Sequence, residues 1–345
     1  MSLNNYHAKS IDWRKNLREN DRKTKIVVAI FLGIFLLVGL LFDTFLGIGR
    51  YHMPVETVFQ ALITFKIFPI ATCTMLAIAG VSLLMTYRFY DKIMLLGTNS
   101  HIITAESAQN HEEQQLYNVV EEMKVAAGMK FMPKVYLIQA QYMNAFASGY
   151  SEKSAMVAIT KGLVQKLSRS ELQAVMAHEL THIRHHDIKL TLTVSVLSNI
   201  ILIAIDWLFY SMLFNRDSEQ NSQERGSSNK LYIAVMILRF VLPMITGMLT
   251  LFLSRTREYM ADSGAVQLMR DNEPLAHALL KISGDHTEHQ REYAMEYGQT
   301  AHESVRRASY IFDPKKFNGV NYFSDMFTTH PSLEKRLEAL GFKAK

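Results

Sequence analysis

Cysteine is almost absent from this sequence of 345 residues, since Cys73 is its single cysteine. One cysteine cannot form an intrachain disulfide, so a disulfide scaffold is excluded and a reducing compartment is expected for the soluble part. The sequence also lacks a nucleic-acid motif and any stripe of basic residues interleaved with aromatic ones. The net charge of +5 is modest, and basic residues cluster before the first apolar run. This charge therefore predicts membrane orientation and no nucleic-acid partner.

The first apolar run is expected to be a membrane helix and not a cleaved signal peptide. The basic stretch 1–25 is long, and the apolar run 26–42 ends in no small-residue cleavage site. That run and three others are long enough to be transmembrane helices, and they lie at 26–42, 67–85, 190–214 and 231–253. Basic residues flank the first two runs, so both termini and the region after residue 85 are predicted to be cytoplasmic.

The apolar runs divide the chain into five segments. These are a cytoplasmic basic N-terminus, a transmembrane hairpin, a first part of a soluble domain, a second transmembrane hairpin and a second part of the same domain, at 1–25, 26–85, 86–189, 190–253 and 254–345. A helical pattern at 112–127 precedes strand patterns at 134–139 and 154–160. The predicted fold class is α+β, a mostly helical integral membrane protein with four transmembrane helices and a small β-sheet.

Two charged residues interrupt the last two apolar runs. Asp206 and Arg239 lie at similar distances from the polar linker 215–230, so they are expected at similar depth in a membrane. An unpaired charge inside a bilayer is costly, and we predict that the two side chains pair. The alternative is a helix end that lies shallower, with its charge reaching the interface.

The pentapeptide H-E-L-T-H at 178–182 carries the strongest chemical signal. Ser168 and Glu171 form a capping box, S-x-x-E, that predicts the start of a helix over 168–187. Histidines four residues apart lie on one helical face and can bind one metal ion, while Glu179 can hold a water molecule beside it. This arrangement is typical of a zinc peptidase, and a solvated histidine-rich helix face is the alternative.

A catalytic zinc site also needs a third ligand. Glu258 and Asp262 are four residues apart after the fourth run, so one could bind the metal and the other could orient a ligand histidine. An exposed charged helix is the alternative for this pair, and a three-histidine site that includes His185 is a further one. A di-iron carboxylate site is disfavoured because the chain has no second E-x-x-H.

Four motifs together resemble a known family. H-E-L-T-H is followed by S-R-T-R-E-Y-M-A-D at 254–262, and the chain also contains N-A-F-A-S-G at 144–149 and T-H-P-S-L-E-K-R-L at 329–337. The set is similar to the HtpX-type membrane zinc metalloproteases, which share a superfamily with the prenyl-protein CAAX endoproteases. The resemblance spans nearly the whole chain, including the four apolar runs, and implies a zincin-type metalloprotease domain.

The resemblance implies a role for each matching residue at the metal. His178, His182 and Glu258 match the ligands of a single Zn²⁺ ion, and Glu179 matches the catalytic base. Asp262 matches an aspartate that supports a ligand histidine from behind.

Two further elements match the substrate side of the family's site. His330 matches a histidine thought to stabilise the oxyanion, with a helix cap or a surface position as the alternative. The segment 144–149 resembles a strand that lines the substrate cleft, where backbone groups would bind an extended peptide. The substrate-binding residues expected there are Asn144, Ala145, Phe146 and Ala147.

The resemblance also implies a biological setting. We expect a multi-pass protein of the bacterial inner membrane that cleaves damaged or misfolded membrane proteins in quality control or a stress response. A membrane adaptor or chaperone with a structural zinc site is the alternative, as is a processing protease for a dedicated substrate. Peptide or membrane-protein substrates and the lipid bilayer are the expected partners, and the oligomeric state is not indicated. The unmatched His286, His289 and His302 are predicted to be solvent-exposed, with a second metal site as the alternative.

Overall fold

The computed structural model of this chain describes residues 3, 6–8, 12–51, 53–149, 151–215, 222–300, 306, 309–312 and 330–344. Its α-helices are, in chain order, α1 (Trp13–Tyr51), α2 (Val55–Ile63), α3 (Ile70–Leu95), α4 (His111–Ala126), α5 (Lys161–Lys166), α6 (Arg169–Arg184), α7 (Asp187–Asn215), α8 (Ser222–Met269), α9 (Glu273–Glu288), α10 (Gln290–Gln299) and α11 (Leu333–Ala339). Its strands are β1 (Tyr6–Ala8), β2 (Ser100–Ile103), β3 (Lys134–Ile138), β4 (Ala145–Ser148), β5 (Met156–Thr160) and β6 (Phe342–Ala344).

Among the described residues, four helices are long and apolar enough to cross a membrane, as predicted. The crossing segments lie in α1, α3, α7 and α8 and cover Arg14–Tyr51, Ile70–Phe89, Asp187–Phe214 and Leu231–Met269. Helix α8 does not end with its apolar run at residue 253 but continues to Met269, because the following residues are mostly good helix formers. The polar linker predicted at 215–230 is partly wrong, since 222–230 belong to α8 and 216–221 lie outside the described residues.

The chain forms two compact units. One contains Lys25–Thr86 and Thr191–Thr250 and is called the helical unit below. The other contains Met1–Thr24, Tyr87–Leu190 and Leu251–Lys345, and it is called the catalytic unit because it includes the residues expected to be catalytic. The helical unit has its own apolar core, which includes Phe35, Val38, Ile201, Leu208 and Val235. Its buried Asp43 accepts hydrogen bonds from the backbone N–H groups of Ala71, at 2.7 Å, and Thr72, at 2.9 Å, and so caps the start of α3.

The predicted pairing of the two charges in the helical unit is confirmed. Arg239 Nε lies 2.7 Å from Asp206 Oδ1, and a guanidinium nitrogen donates to the Tyr210 hydroxyl at 3.0 Å. The guanidinium also lies over the Phe209 ring, 4.3 Å from its centroid. Asp206 neutralises the Arg239 charge, which an apolar environment would penalise, and the two aromatic side chains stabilise it further.

The catalytic unit contains a four-stranded sheet in the order β2-β3-β5-β4. Strands β3 and β5 are parallel, and β2 and β4 pair antiparallel at the two ends. The strands predicted at 134–139 and 154–160 are confirmed as β3 and β5, and the short extended piece predicted at 144–149 contains β4. Strand β4 is therefore the terminal strand of this sheet.

Helices α4, α6 and α9 pack together beside this sheet and form the core of the catalytic unit. The core includes Leu116 and Val119 of α4, Val175 of α6 and Leu279 of α9. The predicted capping box opens α6: the Glu171 carboxylate accepts from the Ser168 backbone N–H at 2.7 Å, and the Ser168 hydroxyl accepts from the Glu171 N–H. The H-E-L-T-H motif consequently lies on a helix that is packed between two others.

The two ends of the described chain pair with each other. Strand β1 is antiparallel to β6, with Tyr6 opposite Ala344 and Ala8 opposite Phe342. Both strands are only three residues long, too short for alternation of apolar and polar residues to reveal them.

Candidate metal centre

The two histidines of α6 and a glutamate of α8 bring three donor atoms together. His178 Nε2 and His182 Nε2 are 3.1 Å apart, and the Glu258 carboxylate lies 3.8 Å from the first and 3.5 Å from the second. All three donor atoms lie within 4.8 Å of one another. A tetrahedral zinc ion with bonds of about 2.0–2.1 Å spaces its ligand atoms roughly 3.3 Å apart. The donor set therefore fits a single zinc ion.

Each histidine has a carboxylate behind it. His178 Nδ1 lies 3.0 Å from Asp262 Oδ1, and His182 Nδ1 lies 2.7 Å from Asp187 Oδ2. A carboxylate at Nδ1 holds the proton on that nitrogen and leaves the lone pair of Nε2 for a metal. Asp262 thus lies behind His178, and Asp187 lies behind His182.

Sequence reasoning missed Asp187, which lies five residues after His182. His186 has a φ of 55°, so the chain turns after α6, called the metal helix below, and Asp187 lies beside His182. Arg257 of α8 forms an ion pair with the same carboxylate. An acidic residue that directly follows the H-E-L-T-H helix was the available signal.

Burial keeps His182 in the form that binds metal. Desolvation lowers the pKa of His182 well below its usual value, and the nearby positive groups lower it further. The imidazole is consequently neutral at physiological pH, as metal binding requires.

Glu179 lies beside these ligands and is 1% exposed. Among the described residues, neither of its carboxylate oxygens has a hydrogen-bond partner. Burial raises the pKa of Glu179 to about 7, and the neighbouring His178 and the backbone N–H of Ala147, which points toward the carboxylate without completing a hydrogen bond, limit the rise. A buried carboxylate with a pKa near neutrality is suited to accept a proton and then return it.

Arg336 of α11 is a central residue of the site that sequence reasoning did not single out. It is 3% exposed and donates to both oxygens of Asp262, from Nε at 2.9 Å and from Nη2 at 2.6 Å. Its Nη1 lies 3.6 Å from Glu258 Oε2 and donates to the Ile311 carbonyl at 2.7 Å. The residue lies within the T-H-P-S-L-E-K-R-L motif, six positions after His330, which was a usable signal.

His330 lies at the same centre. It is 2% exposed, and its Nε2 is 3.7 Å from Glu258 Oε1. Ser332 caps α11 two residues later, accepting from the Lys335 N–H, so the start of that helix fixes the position of His330. The structure therefore places it in the interior and beside a candidate ligand.

In the predicted substrate strand, two side chains point into the interior while backbone groups of the residues between and after them lie at the edge of the sheet. Asn144 and Phe146 point into the interior: the Asn144 amide donates to Tyr297 Oη at 3.1 Å, and the Phe146 ring lies 5.7 Å from that of Tyr310. The Asn144 carbonyl accepts from Thr160 of β5, so the backbone groups of Ala145 and Ala147 point away from β5. Those groups form the outer edge of the sheet.

The prediction that the unmatched histidines are solvent-exposed is wrong for His286. This residue is 2% exposed, its Nδ1 donates to the Ile282 carbonyl at 2.9 Å, and its Nε2 accepts from Tyr297 Oη at 3.1 Å. Both ring nitrogens thus have partners, and burial lowers the pKa of His286 to about 4. His289 is partly exposed, and His302 lies outside the described residues. Within the described part of the chain, the residues around His286 form no second metal cluster.

The chain is similar over most of its length to known proteins. The model of peptidase family M48 matches residues 110–342. A protease HtpX homolog of Helicobacter pylori strain J99 is 37% identical over 335 residues, which cover 95% of this chain and 98% of the relative. A second protease HtpX homolog, from Limosilactobacillus reuteri strain DSM 20016, is 31% identical over 326 residues, which cover 94% of this chain and 98% of the relative. A crystal structure of S. mikatae Ste24p aligns with 94% of this chain and 66% of that chain, at 19% identity and a TM-score of 0.49.

Proposed function

This chain belongs to peptidase family M48, and we propose that it hydrolyses peptide bonds with a zinc ion held by His178, His182 and Glu258. Family membership and the four apolar helices make it a membrane-bound metalloendopeptidase. The observation that carries the zinc assignment is the convergence of three donor atoms within 4.8 Å. The buried, unpaired carboxylate of Glu179 beside them supplies the base.

Zinc bound at this site would supply a Lewis acid and lower the pKa of a water molecule to about 7. Glu179 accepts a proton from the water that attacks the scissile carbonyl, and it then delivers this proton to the leaving amine. Because Glu179 has no competing hydrogen-bond partner among the described residues, its oxygens are available for both transfers. His330, buried next to Glu258, donates to the developing oxyanion.

The surrounding residues orient these groups. Asp262 and Asp187 hold the two imidazoles by their Nδ1 atoms, and Arg336 holds Asp262 through two hydrogen bonds. The outer edge of β4, which includes Ala145 and Ala147, binds the substrate backbone as an added strand. Binding through backbone groups tolerates many substrate sequences, which suits a protease with diverse substrates.

The natural substrates are damaged or misfolded membrane proteins. This proposal is supported by the four membrane-crossing segments and by the similarity to protease HtpX homologs over nearly the full length. The basic residues at 14–25 and after the second apolar run support a cytoplasmic position for the site.

Hydrolysis of casein by the purified, zinc-loaded protein tests the proposal. We expect cleavage that a chelator abolishes and added zinc restores. Glu179→Gln should bind zinc normally but cleave at least a hundredfold more slowly, since a positioned general base contributes about 10²–10⁴ to the rate. Stoichiometric zinc without any cleavage by the wild type would instead support a structural zinc site in an adaptor or chaperone.

A further inference from the structure

The outer edge of β4 is partly covered by the chain itself. The backbone N–H of Ile311 donates to the Ala145 carbonyl at 3.0 Å. This carbonyl points away from β5, so it is one of the groups that an added strand would use.

The neighbouring residue makes a second pair of strand-like contacts. The Asn144 side-chain amide donates to the Phe312 carbonyl at 3.0 Å, and its oxygen accepts from the Phe312 N–H at 3.4 Å. An amide side chain that bonds both polar backbone groups of one residue recognises an extended peptide without regard to its side chain. Phe312 is consequently held in the manner expected of a substrate residue.

The same three-residue segment is tied to the metal centre. The Ile311 carbonyl accepts from Arg336 Nη1 at 2.7 Å, and Arg336 also binds Asp262 and lies 3.6 Å from Glu258. The Ile311 side chain is 1% exposed and belongs to the apolar core that contains the metal helix. The segment thus fills an apolar position close to the groups that perform the chemistry.

The covered edge leads directly to the proposed base. Ala147, whose backbone N–H points toward the Glu179 carboxylate, follows Ala145 by two residues, or about 7 Å along a strand. A substrate strand that reached Glu179 along this edge would need the Ala145 carbonyl, which Ile311 occupies.

We propose that residues 310–312 bind the edge of β4 in place of a substrate strand, and that a substrate with a large apolar residue at the position of Ile311 displaces them. The inference rests on the proposed function, because it requires that β4 binds the substrate. The contacts with Ala145, Asn144 and Arg336 are the ones that the substrate takes over.

Such competition raises KM without changing the chemical step. When only a fraction of the protein is competent to bind, the apparent dissociation constant increases by the inverse of that fraction. Weakening the self-contact should lower KM, whereas loss of a wall of the binding site should raise it. The two roles therefore predict changes of KM in opposite directions.

A matched pair of variants of the full-length, zinc-loaded protein separates these roles. Ile311→Pro removes the N–H that donates to Ala145, whereas Ile311→Val retains it and most of the apolar volume. We expect a KM for casein about threefold or more lower for the proline variant, an almost unchanged kcat, and wild-type values for the valine variant. A KM that rises or stays unchanged in a folded, zinc-loaded proline variant overturns the proposal.

Hydrogen exchange on Glu179→Gln, which should bind substrate without cleaving it, decides the matter even if the proline variant does not fold. Saturating β-casein should accelerate exchange at the amides of residues 310–312 and leave α4 unchanged as an internal reference. Unchanged or slower exchange at 310–312 would show that the segment stays in place. That result would overturn this inference but not the proposed function. Failure of the wild type to cleave casein contradicts the proposed function itself, and this inference falls with it.

Discussion

The two units of this protein differ in what they bury and what they expose. The catalytic unit buries charged side chains, among them Glu171, Glu179, Glu258, Asp262 and Arg336. The helical unit exposes large apolar side chains, among them Phe68 at 66%, Leu84 at 71%, Ile203 at 68% and Phe240 at 69%. An apolar exterior is stable in lipid, whereas a buried charge lowers stability unless it is paired. Single substitutions are therefore expected to change stability through different kinds of interaction in the two units.

The largest effect is expected where a buried charge loses its partner. Arg336→Met leaves Asp262 buried and uncompensated, which should lower the free energy of unfolding by about 3–5 kcal/mol. It should also weaken zinc binding about 10–100-fold, because Asp262 would no longer be held against His178. Thermal unfolding and zinc titration measure the two effects. Lys335→Met, an exposed neighbour, should change neither, and equal behaviour of the two variants would refute the role of Arg336.

Acid should destabilise the catalytic unit through His286. The pKa of His286 is lowered to about 4 in the folded protein and is about 6.5 when unfolded, so the unfolded state binds the extra proton between these values. The contribution of neutral His286 to the free energy of unfolding is therefore fully present above about pH 6.5. It falls by about 3 kcal/mol as the pH decreases to 4. Urea unfolding at several pH values should show that His286→Gln loses this part of the pH dependence. A variant with the wild-type slope would contradict the assignment.

A smaller effect is expected where the metal helix approaches α8. A Cβ atom on Gly264 would lie 2.3 Å from Cγ2 of the buried Thr181, next to His182. Gly264→Ala should therefore cost about 1–3 kcal/mol and weaken zinc binding, because α6 and α8 must separate. Gly247→Ala, on the same helix but with no atom within 4 Å, is the matched control and should be neutral or slightly stabilising. Equal stability of the two alanine variants would argue against the close approach.

The smallest effect on folding is expected for the ion pair of the helical unit, whose residues are partly exposed. Asp206→Arg and Arg239→Asp should each lower the yield of folded protein extracted from membranes, and the double reversal should restore it. The exposed Lys15–Glu19 pair of α1 provides a control, since its reversal should have little effect. A double variant as poor as the single ones would show that the contact between Asp206 and Arg239 is unimportant.

The sequence predicted the parts of the fold that depend on local patterns. Long apolar runs predicted the four crossing segments, and Ser168 with Glu171 predicted the start of α6. Strands of five residues were recognisable, whereas β1, β2 and β6 were not, because three or four residues cannot display a period. The division into five segments and the cytoplasmic orientation stay predictions.

At the site, motif spacing and the family resemblance together suggested residues that the structure brings together, namely His178, His182, Glu258, Asp262 and His330. Neither singled out Asp187, whose position depends on the left-handed conformation of His186. They also could not show that Asn144 faces inward or that His286 is buried, because both depend on contacts with Tyr297 of α10. Packing between separate elements leaves no local pattern.

The zinc content of Glu258→Ala and His185→Ala tests the central claim most directly. Glu258 supplies the third donor atom, whereas His185 does not belong to the cluster of donor atoms among the described residues. The account predicts one zinc per chain for the wild type and for His185→Ala, and loss of stoichiometric zinc for Glu258→Ala. Normal zinc in Glu258→Ala together with its loss in His185→Ala would contradict the account and favour a three-histidine site.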